Sequence, residues 1–476
     1  MTKYETVIGL EVHVELATQT KLFCSCSAKF GADANENVCP ACMGMPGMLP
    51  VANRKAMELG IAAALVTNSE IIPVMSFDKK NYFYPDLPTG YQITQFFAPI
   101  CRNGYVDISV DGENKRITLK QIHIEEDAGK LVHRHGMSLV DYNRAGVPLV
   151  EIVSNPDFRT SGEVVAYLEK IRSLLSFAGV SDCKMQEGSM RCDVNLSVRE
   201  FGTHTLGTRT EMKNMNSLKA IVRAIEYEQQ RHIDALNEGT EILIQETRRW
   251  DDIAGKSYSM RNKENATDYR YFPNPDIPPF RISKQWIEEV RNALPEPADK
   301  KFQRLTAELN IPESEAKIIV GSKNLSDIFD ALQAKGISPK DTVSWIVTDL
   351  LSMETAENKS VDDIVIDCGK FADLIMLVTA KKINRSCAKR ILKLIYTDGV
   401  EPNRYVKDNN LSMVNDTDLI EQIVMQVLSE NPDSVKQYQE GNQKVIAFFM
   451  GQIMKKTGGK ADPNAVKELL CAKLGV

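Results

Sequence analysis

No apolar run in this chain reaches the ~18–20 residues that a membrane-spanning helix needs, so no bilayer passage by helix is expected. The opening Met1-Thr2-Lys3-Tyr4-Glu5-Thr6 is not a basic stretch followed by an apolar one, and a secretory signal is not expected either. Cysteine is sparse, ten in 476 residues, too few for a disulfide scaffold, and a reducing cytoplasmic setting follows as the expectation. An excess of positive charge is missing as well: 58 basic residues face 64 acidic ones, for a net charge of −6. Any nucleic-acid binding must therefore use a local basic patch. A P-loop, a Gly-x-Ser-x-Gly elbow, a Gly-x-Gly-x-x-Gly turn after a strand and a Ser-Ser-Lys arrangement are all lacking. Phosphoryl chemistry would have to come from another device.

What is present is ordinary in bulk, 43% hydrophobic and 26% charged, over a length that predicts two to four domains. The informative stretch is Thr6-Val7-Ile8-Gly9-Leu10-Glu11-Val12-His13-Val14-Glu15-Leu16, which alternates with period two. Such alternation is the mark of a half-buried strand. Ile8, Leu10, Val12, Val14 and Leu16 take one face, and Glu11, His13 and Glu15 the other. A solvent face could carry the same three polar residues. Same-side residues also stand roughly 6.5–7 Å apart, near enough to share one or two metal ions. Carboxylates with one imidazole suit Mg²⁺ or Mn²⁺ before Zn²⁺.

Later segments extend that polar face. In Ile122-His123-Ile124-Glu125-Glu126-Asp127, alternation puts His123 and Glu125 on the polar side and Glu126 with the isoleucines; a bulge would reverse this. Glu151 is a lone acid within Leu149-Val150-Glu151-Ile152-Val153 and wants a cation, either a metal or an arginine. Met190, Cys192, Val194, Leu196 and Val198 alternate with Arg191, Asp193, Asn195, Ser197 and Arg199, and Thr208–Lys213 is expected as the antiparallel partner. Together these strands predict an open antiparallel sheet with helices on its apolar side. Glu11, His13, Glu15, Glu151, Arg191, Asp193, Asn195, Arg209, Glu211 and Lys213 would share the other side. Carboxylates for a cation beside arginine and lysine for phosphate oxygens suit a metal-bound phosphate; a sheet face laced with salt bridges is the plainer alternative.

Cys24-Ser-Cys26 and Cys39-Pro-Ala-Cys42 have the spacing of a closed tetrahedral Zn²⁺ site, a staple with no open position for chemistry. The loop from Asp78 to Gln92 carries Lys79, Lys80, Tyr82, Phe83, Tyr84 and Tyr91, able to stack a planar ring and place a cation near phosphate. Helices are expected over Asn53–Val66, from the Thr160/Glu163 capping pair to near Gly179, and from Ser217. Pro295-Glu296-Pro297 marks a change to helical character. Within it Lys381, Lys382, Arg385, Lys389, Arg390 and Lys393 form a basic stretch, either a solvated face or an RNA phosphate contact. The expected domains are 1–296 with the zinc knuckle at 24–42, an all-α domain at 297–404, and a small helical tail at 405–476.

These residues resemble one family, the B subunits of the glutamyl/aspartyl-tRNA amidotransferases. The resemblance runs over essentially the whole chain. It is carried by Val7-Ile8-Gly9-Leu10-Glu11-Val12-His13, Lys80-Asn81-Tyr82-Phe83-Tyr84-Pro85-Asp86, Gly90-Tyr91-Gln92-Ile93 and the block from His123 to Lys130. Asp141–Gly146, Pro148–Ile152, Met190–Leu196, Glu246–Arg249 and Asp268–Pro273 continue it. It implies an α+β architecture: an antiparallel-sheet cradle of the glutamine synthetase/guanido kinase type, then a helical domain and a tail domain that holds tRNA. It also implies ATP-dependent activation of Glu-tRNA(Gln) and/or Asp-tRNA(Asn) as an acyl phosphate. Ammonia from a partner amidase would then complete the amide, with a small third subunit tying the assembly together. The implied Mg²⁺ ligands and catalytic residues are Glu11, His13, Glu151 and one of Glu125 or Glu126: alternation favours the first of that pair, the family motif the second. Lys80, with Arg191, Asp193 and Asn195, is implied at the nucleotide. Some members lack Cys24, Cys26, Cys39 and Cys42, so structural Zn²⁺ here rests on spacing. Two rival classes are a non-catalytic tRNA-binding scaffold and a free-standing ligase using external ammonia.

Overall fold

Burial follows the alternation of the first strand. In the computed structural model Ile8, Leu10, Val12 and Val14 are at most 1% exposed, and each contributes on the order of 1.5–3 kcal/mol by leaving water. A one-residue slip would put Glu11, His13 and Glu15 into that core instead, which holds the register. The structure describes residues 3–134, 136–239, 241–262, 269–353, 361–412, 417–439, 442, 445–457, 461 and 463–474. Asp268 of the last first-domain motif and the glycines at 458 and 459 lie outside them. The chain divides into two compact units, Met1–Ala298 and Asp299–Val476.

The first unit is built on a nine-stranded sheet. Its strands are β1 (Tyr4–Glu15), β2 (Glu70–Ile71), β3 (Cys101–Val110), β4 (Glu113–Glu126), β5 (Pro148–Ser154), β6 (Met190–Glu200), β7 (Thr210–Lys213), β8 (Glu246–Asp251) and β9 (Lys256–Asn262). Their spatial order is β9-β8-β7-β6-β1-β5-β4-β3-β2, so the acid-bearing β1 is central. The expected antiparallel pairing of β6 with β7 is present. The sheet is not antiparallel throughout, however: β7 and β8 run parallel. A parallel pair needs a long crossover, and a helix, α3 (Leu218–Glu238), lies between them in sequence.

Three helices cover the apolar face: α1 (Arg54–Val66) meets β4, α2 (Ser161–Phe177) meets β3, and α3 meets β6. Each starts where a side-chain acceptor is available. Asn53 accepts from the amides of Lys55 and Ala56, Thr160 from Glu163 at 3.2 Å, and Ser217 from Ala220 at 3.1 Å. Glu163 accepts from the Arg159 amide at 2.7 Å, one residue earlier than a simple capping box. At Gly60 a Cβ would stand 2.8 Å from the Cδ1 atoms of Ile100 and Ile124, so α1 lies close against the sheet there and a larger residue would make those side chains shift.

The second unit is helical, with two separate buried clusters: Leu305 to Val406, and Ile420 to Leu474. Within the first, Arg385 and Lys389 turn from the basic stretch onto buried Asp349, at 3.1 and 2.9 Å. These two cations are thus tied within the fold. No helix among the described residues is long and apolar enough to cross a membrane.

Candidate active site

The polar face of the sheet is the floor of a cavity of about 770 Å³. Antiparallel register decides which floor residues meet. His13 stands opposite Glu151 on one side and Arg191 on the other, and Glu151 stands opposite His123. This gives one polar row across β4, β5, β1 and β6. Two residue pairs further along, Glu11 is opposite Asp193, and two pairs beyond that Asn195 is opposite Glu211.

The acids therefore form two groups. In the first, one ligand atom each of His13, Glu125 and Glu151 lies within 4.8 Å of the others. His13 Nε2 is 3.2 Å from Glu151 and 3.8 Å from Glu125; the Thr94 hydroxyl donates to Glu125 at 3.0 Å. In the second, Glu11, Asp193 and Glu211 meet the same limit. Asn195 donates to Glu11 at 3.0 Å, and the Lys213 ammonium reaches both Glu211, at 2.9 Å, and Asp193.

Glu11 is thus apart from the His13 group with which the family resemblance associates it. Glu126 is apart from both. Its carboxylate accepts from the Ile93 amide at 2.9 Å and lines a separate small cavity beside Cys24 and Cys42. The β4–β5 pairing has no irregularity between Gln121 and Glu126, so alternation holds and Glu125 keeps the floor side.

Electrostatics differ between the groups. Burial opposes a charge on His13, but the carboxylates of Glu151 and Glu125 outweigh it and lift the imidazole to about 9. His123 is lifted in the same way to about 10. Burial is likewise overridden at Glu151, where His123 and His13 hold the carboxyl well below its ordinary range. Glu11 goes the other way: burial first, then Glu151, Glu211 and Asp193 push it up. Crowded carboxylates of this kind are what a divalent cation relieves.

Of the other expected residues, Arg191 is paired with Asp127 at 2.6 Å, and Arg144 joins that carboxylate at 3.5 Å. Lys80 lies on the cavity wall, 5.0 Å from the Tyr269 ring centre and 5.6 Å from that of Tyr82. Tyr271 stacks on Phe96 at 4.2 Å, and buried Asp78 accepts from the Phe96 and Phe97 amides at 2.7 and 3.0 Å, which sets that loop. Sequence reading did not single out His123, Tyr269 or Tyr271 as site residues. Alternation puts His123 on the polar side beside Glu125 without giving it a role, and Tyr269 and Tyr271 fall in a segment dense in Arg, Asp and aromatics that suits a substrate-facing loop.

The four thiols of Cys24, Cys26, Cys39 and Cys42 also lie within 4.8 Å of one another. A tetrahedral Zn²⁺ at ~2.3 Å from each sulfur would separate them by about 3.8 Å, so the set fits that ion. The Cys24 thiol hydrogen bond, with smaller help from the Lys21 ammonium, pulls Cys42 down to about 4. Lys21 Nζ is 3.6 Å from Cys42 Sγ and 3.1 Å from the Tyr142 carbonyl.

The family model described as GatB/GatE catalytic domain matches residues 6–288, which contain the whole of this floor. The chain belongs to the GatB/GatE family. A second family model, described as GatB domain, matches residues 327–474. Relatives align from end to end. The B subunit of the aspartyl/glutamyl-tRNA(Asn/Gln) amidotransferase of Lachnoclostridium phytofermentans is 51% identical, covering 99% of this chain and 98% of its own. The protein of the same name in Caldicellulosiruptor bescii is 48% identical over 99% of both chains. That of Carboxydothermus hydrogenoformans is 46% identical over 100% of this chain and 99% of its own.

Proposed function

We propose that this chain is the transamidating subunit of an aspartyl/glutamyl-tRNA(Asn/Gln) amidotransferase. It would phosphorylate the side-chain carboxylate of Glu-tRNA(Gln) and/or Asp-tRNA(Asn) with ATP and convert it to the amide. The observation that carries this is the pair of acid groups on one floor, His13/Glu125/Glu151 and Glu11/Asp193/Glu211, with Lys213, Lys80 and Arg191 around the same cavity. A non-catalytic scaffold has no use for three acids gathered at one point under a cavity, where burial and its acidic neighbours push Glu11 up.

The two groups would hold Mg²⁺, which when bound offsets charge on the ATP phosphate oxygens. Lys80, on the cavity wall, would bind a phosphate oxygen, and Lys213, held between Asp193 and Glu211, would follow charge as it moves onto the leaving phosphate. A side-chain carboxylate oxygen attacks the γ-phosphorus, the bond to the β-phosphate's bridging oxygen breaks, and ADP leaves. Ammonia then forms the C–N bond, the C–O bond to phosphate breaks, and the nitrogen gives up one proton, which leaves with the phosphate. The mixed anhydride hydrolyses if water reaches it, and the aromatic wall of Tyr82, Tyr269, Tyr271 and Phe96 serves to exclude it.

The cradle would be of the glutamine synthetase/guanido kinase type, the thiol set would hold structural Zn²⁺, and the helical tail from about residue 405 would grip tRNA. No glutaminase signature is present, so ammonia would come from a partner amidase, with a small third subunit completing a cytoplasmic heterotrimer.

The test uses the purified chain with its amidase partner, ATP, Mg²⁺, glutamine and either mischarged tRNA. The amino acid is recovered from the tRNA and identified. Glutamine or asparagine is the expected product. Tight tRNA binding without conversion of either substrate would overturn the reading in favour of a scaffold.

A further inference from the structure

His123 was not among the residues expected at the site, yet it occupies a defined place in the floor. Register sets Glu151 between two histidines, His13 on β1 and His123 on β4. The Nε2 atoms of both approach the same Glu151 oxygen, at 3.2 and 3.1 Å, and His123 Nε2 is also 3.5 Å from Glu125.

The two rings are not equivalent. The His13 side chain is 20% exposed and that of His123 only 9%. The Nδ1 of His123 is buried with no partner among the described residues, while its Nε2 faces two carboxylates. A hydrogen on Nε2 thus meets two acceptors, whereas one on the buried Nδ1 meets none among the described residues, a restriction found at His123 and not at the more exposed His13. A nitrogen that keeps its proton offers no lone pair to a cation. It offers a hydrogen bond that fixes the carboxylate's rotamer.

We propose that His123 is a positioning residue of the first acid group: it donates Nε2–H to Glu151, and across to Glu125, so that both carboxylates face the cation that His13 ligates. This rests on the metal-dependent reading of the site given above. Partners that orient metal-binding carboxylates and imidazoles are worth about 10–100-fold in metal affinity. The role differs from that of a ligand in one chemical respect. A side chain that supplies an N–H at the place of Nε2 should replace it, with no lone pair at that atom. Glutamine does so through its amide nitrogen.

The experiment titrates the full-length chain with Mn²⁺ and counts the class of sites that His13→Ala removes. His123→Ala is expected to weaken that class about 10–100-fold, and His123→Gln to stay within about 3-fold of the unsubstituted protein. In the assembled enzyme, raising Mg²⁺ should restore the kcat of His123→Ala, since the ligands themselves remain. Unchanged Mn²⁺ affinity in folded His123→Ala overturns the proposal while leaving the metal reading intact. Equal loss in the Gln and Ala variants overturns it too, since the donated hydrogen bond would then not be the cause. If His123→Ala does not fold, the Gln variant decides alone: retained affinity supports the proposal and lost affinity overturns it. Absence of any Mn²⁺ site that His13→Ala removes overturns the metal reading, and this proposal with it.

Discussion

Glu151→Gln is expected to lower tRNA-dependent ADP formation by at least about 10²–10³-fold, the range seen when a group that stabilises transition-state charge is removed. The substitution preserves shape but takes away the charge on which the first row is built. His13 and His123 both face that carboxylate, and it is the group they hold ionised. Its amide would leave two imidazoles without their shared partner and Glu125 as the one acid of the group. Glu11→Gln should cost as much through the second group, whose three acids crowd one point. Binding of the tRNA body should change by no more than a few-fold, because the floor lies in the first unit under a cavity too small for more than an acceptor end. The check is ADP formation at saturating charged tRNA, run beside tRNA binding measured at fixed salt. Parallel loss of both would make these strands structural; retained ADP formation would remove them from the chemistry.

Removing zinc is the second large expected effect. Protein purified without chelator should hold about one Zn²⁺ per chain by metal analysis, as a four-thiolate site requires. Stripping it, or Cys42→Ser, should lower the melting temperature by on the order of 10 °C, through loss of several kcal/mol of bound-ion stabilisation. The reason is local. The knuckle follows β1, and its backbone is tied to the 141–143 turn through Asn35 to Asp141 at 3.1 Å and Asn37 to Asn143 at 2.8 Å. Lys21, fully buried, joins the same turn to Cys42. Without an ion the Cys24 and Cys26 thiols are pushed up and only Cys42, beside the Lys21 ammonium, is pulled down, so nothing joins the four sulfurs and the loop loses its closure. A protein that carries no metal, or whose melting is unmoved by thiol-directed chelation, would contradict this.

Much of the floor was legible along the chain because a strand's side chains alternate whatever its neighbours are. β1 displayed Glu11 and His13 in that way, β5 displayed Glu151 as an acid among Leu149, Val150, Ile152 and Val153, and the same rule favoured Glu125 for the floor side while the family motif kept Glu126 open. The division of the acids into two groups was not legible. It depends on which residues of β6 and β7 stand across from β1, a matter of register between segments some 180–200 positions apart, and no local pattern records that. The role of His123 was hidden for the same reason: it emerges from the Glu151–His123 pairing. The parallel β7–β8 pair escaped because the β7 and β8 segments are too short for their patterns to state a direction. The basic stretch reads as either a solvated face or an RNA contact, and its charge along the helix does not reveal that Arg385 and Lys389 have Asp349 to answer.

The central claim is that this floor activates a carboxylate by joining it to phosphate. Charged tRNA whose glutamate or aspartate side chain carries ¹⁸O tests it most directly, with ATP, glutamine and the amidase partner present. Amide formation should deliver one ¹⁸O from each converted side chain into the released inorganic phosphate. Phosphate free of ¹⁸O, released while the amide forms, would contradict the account.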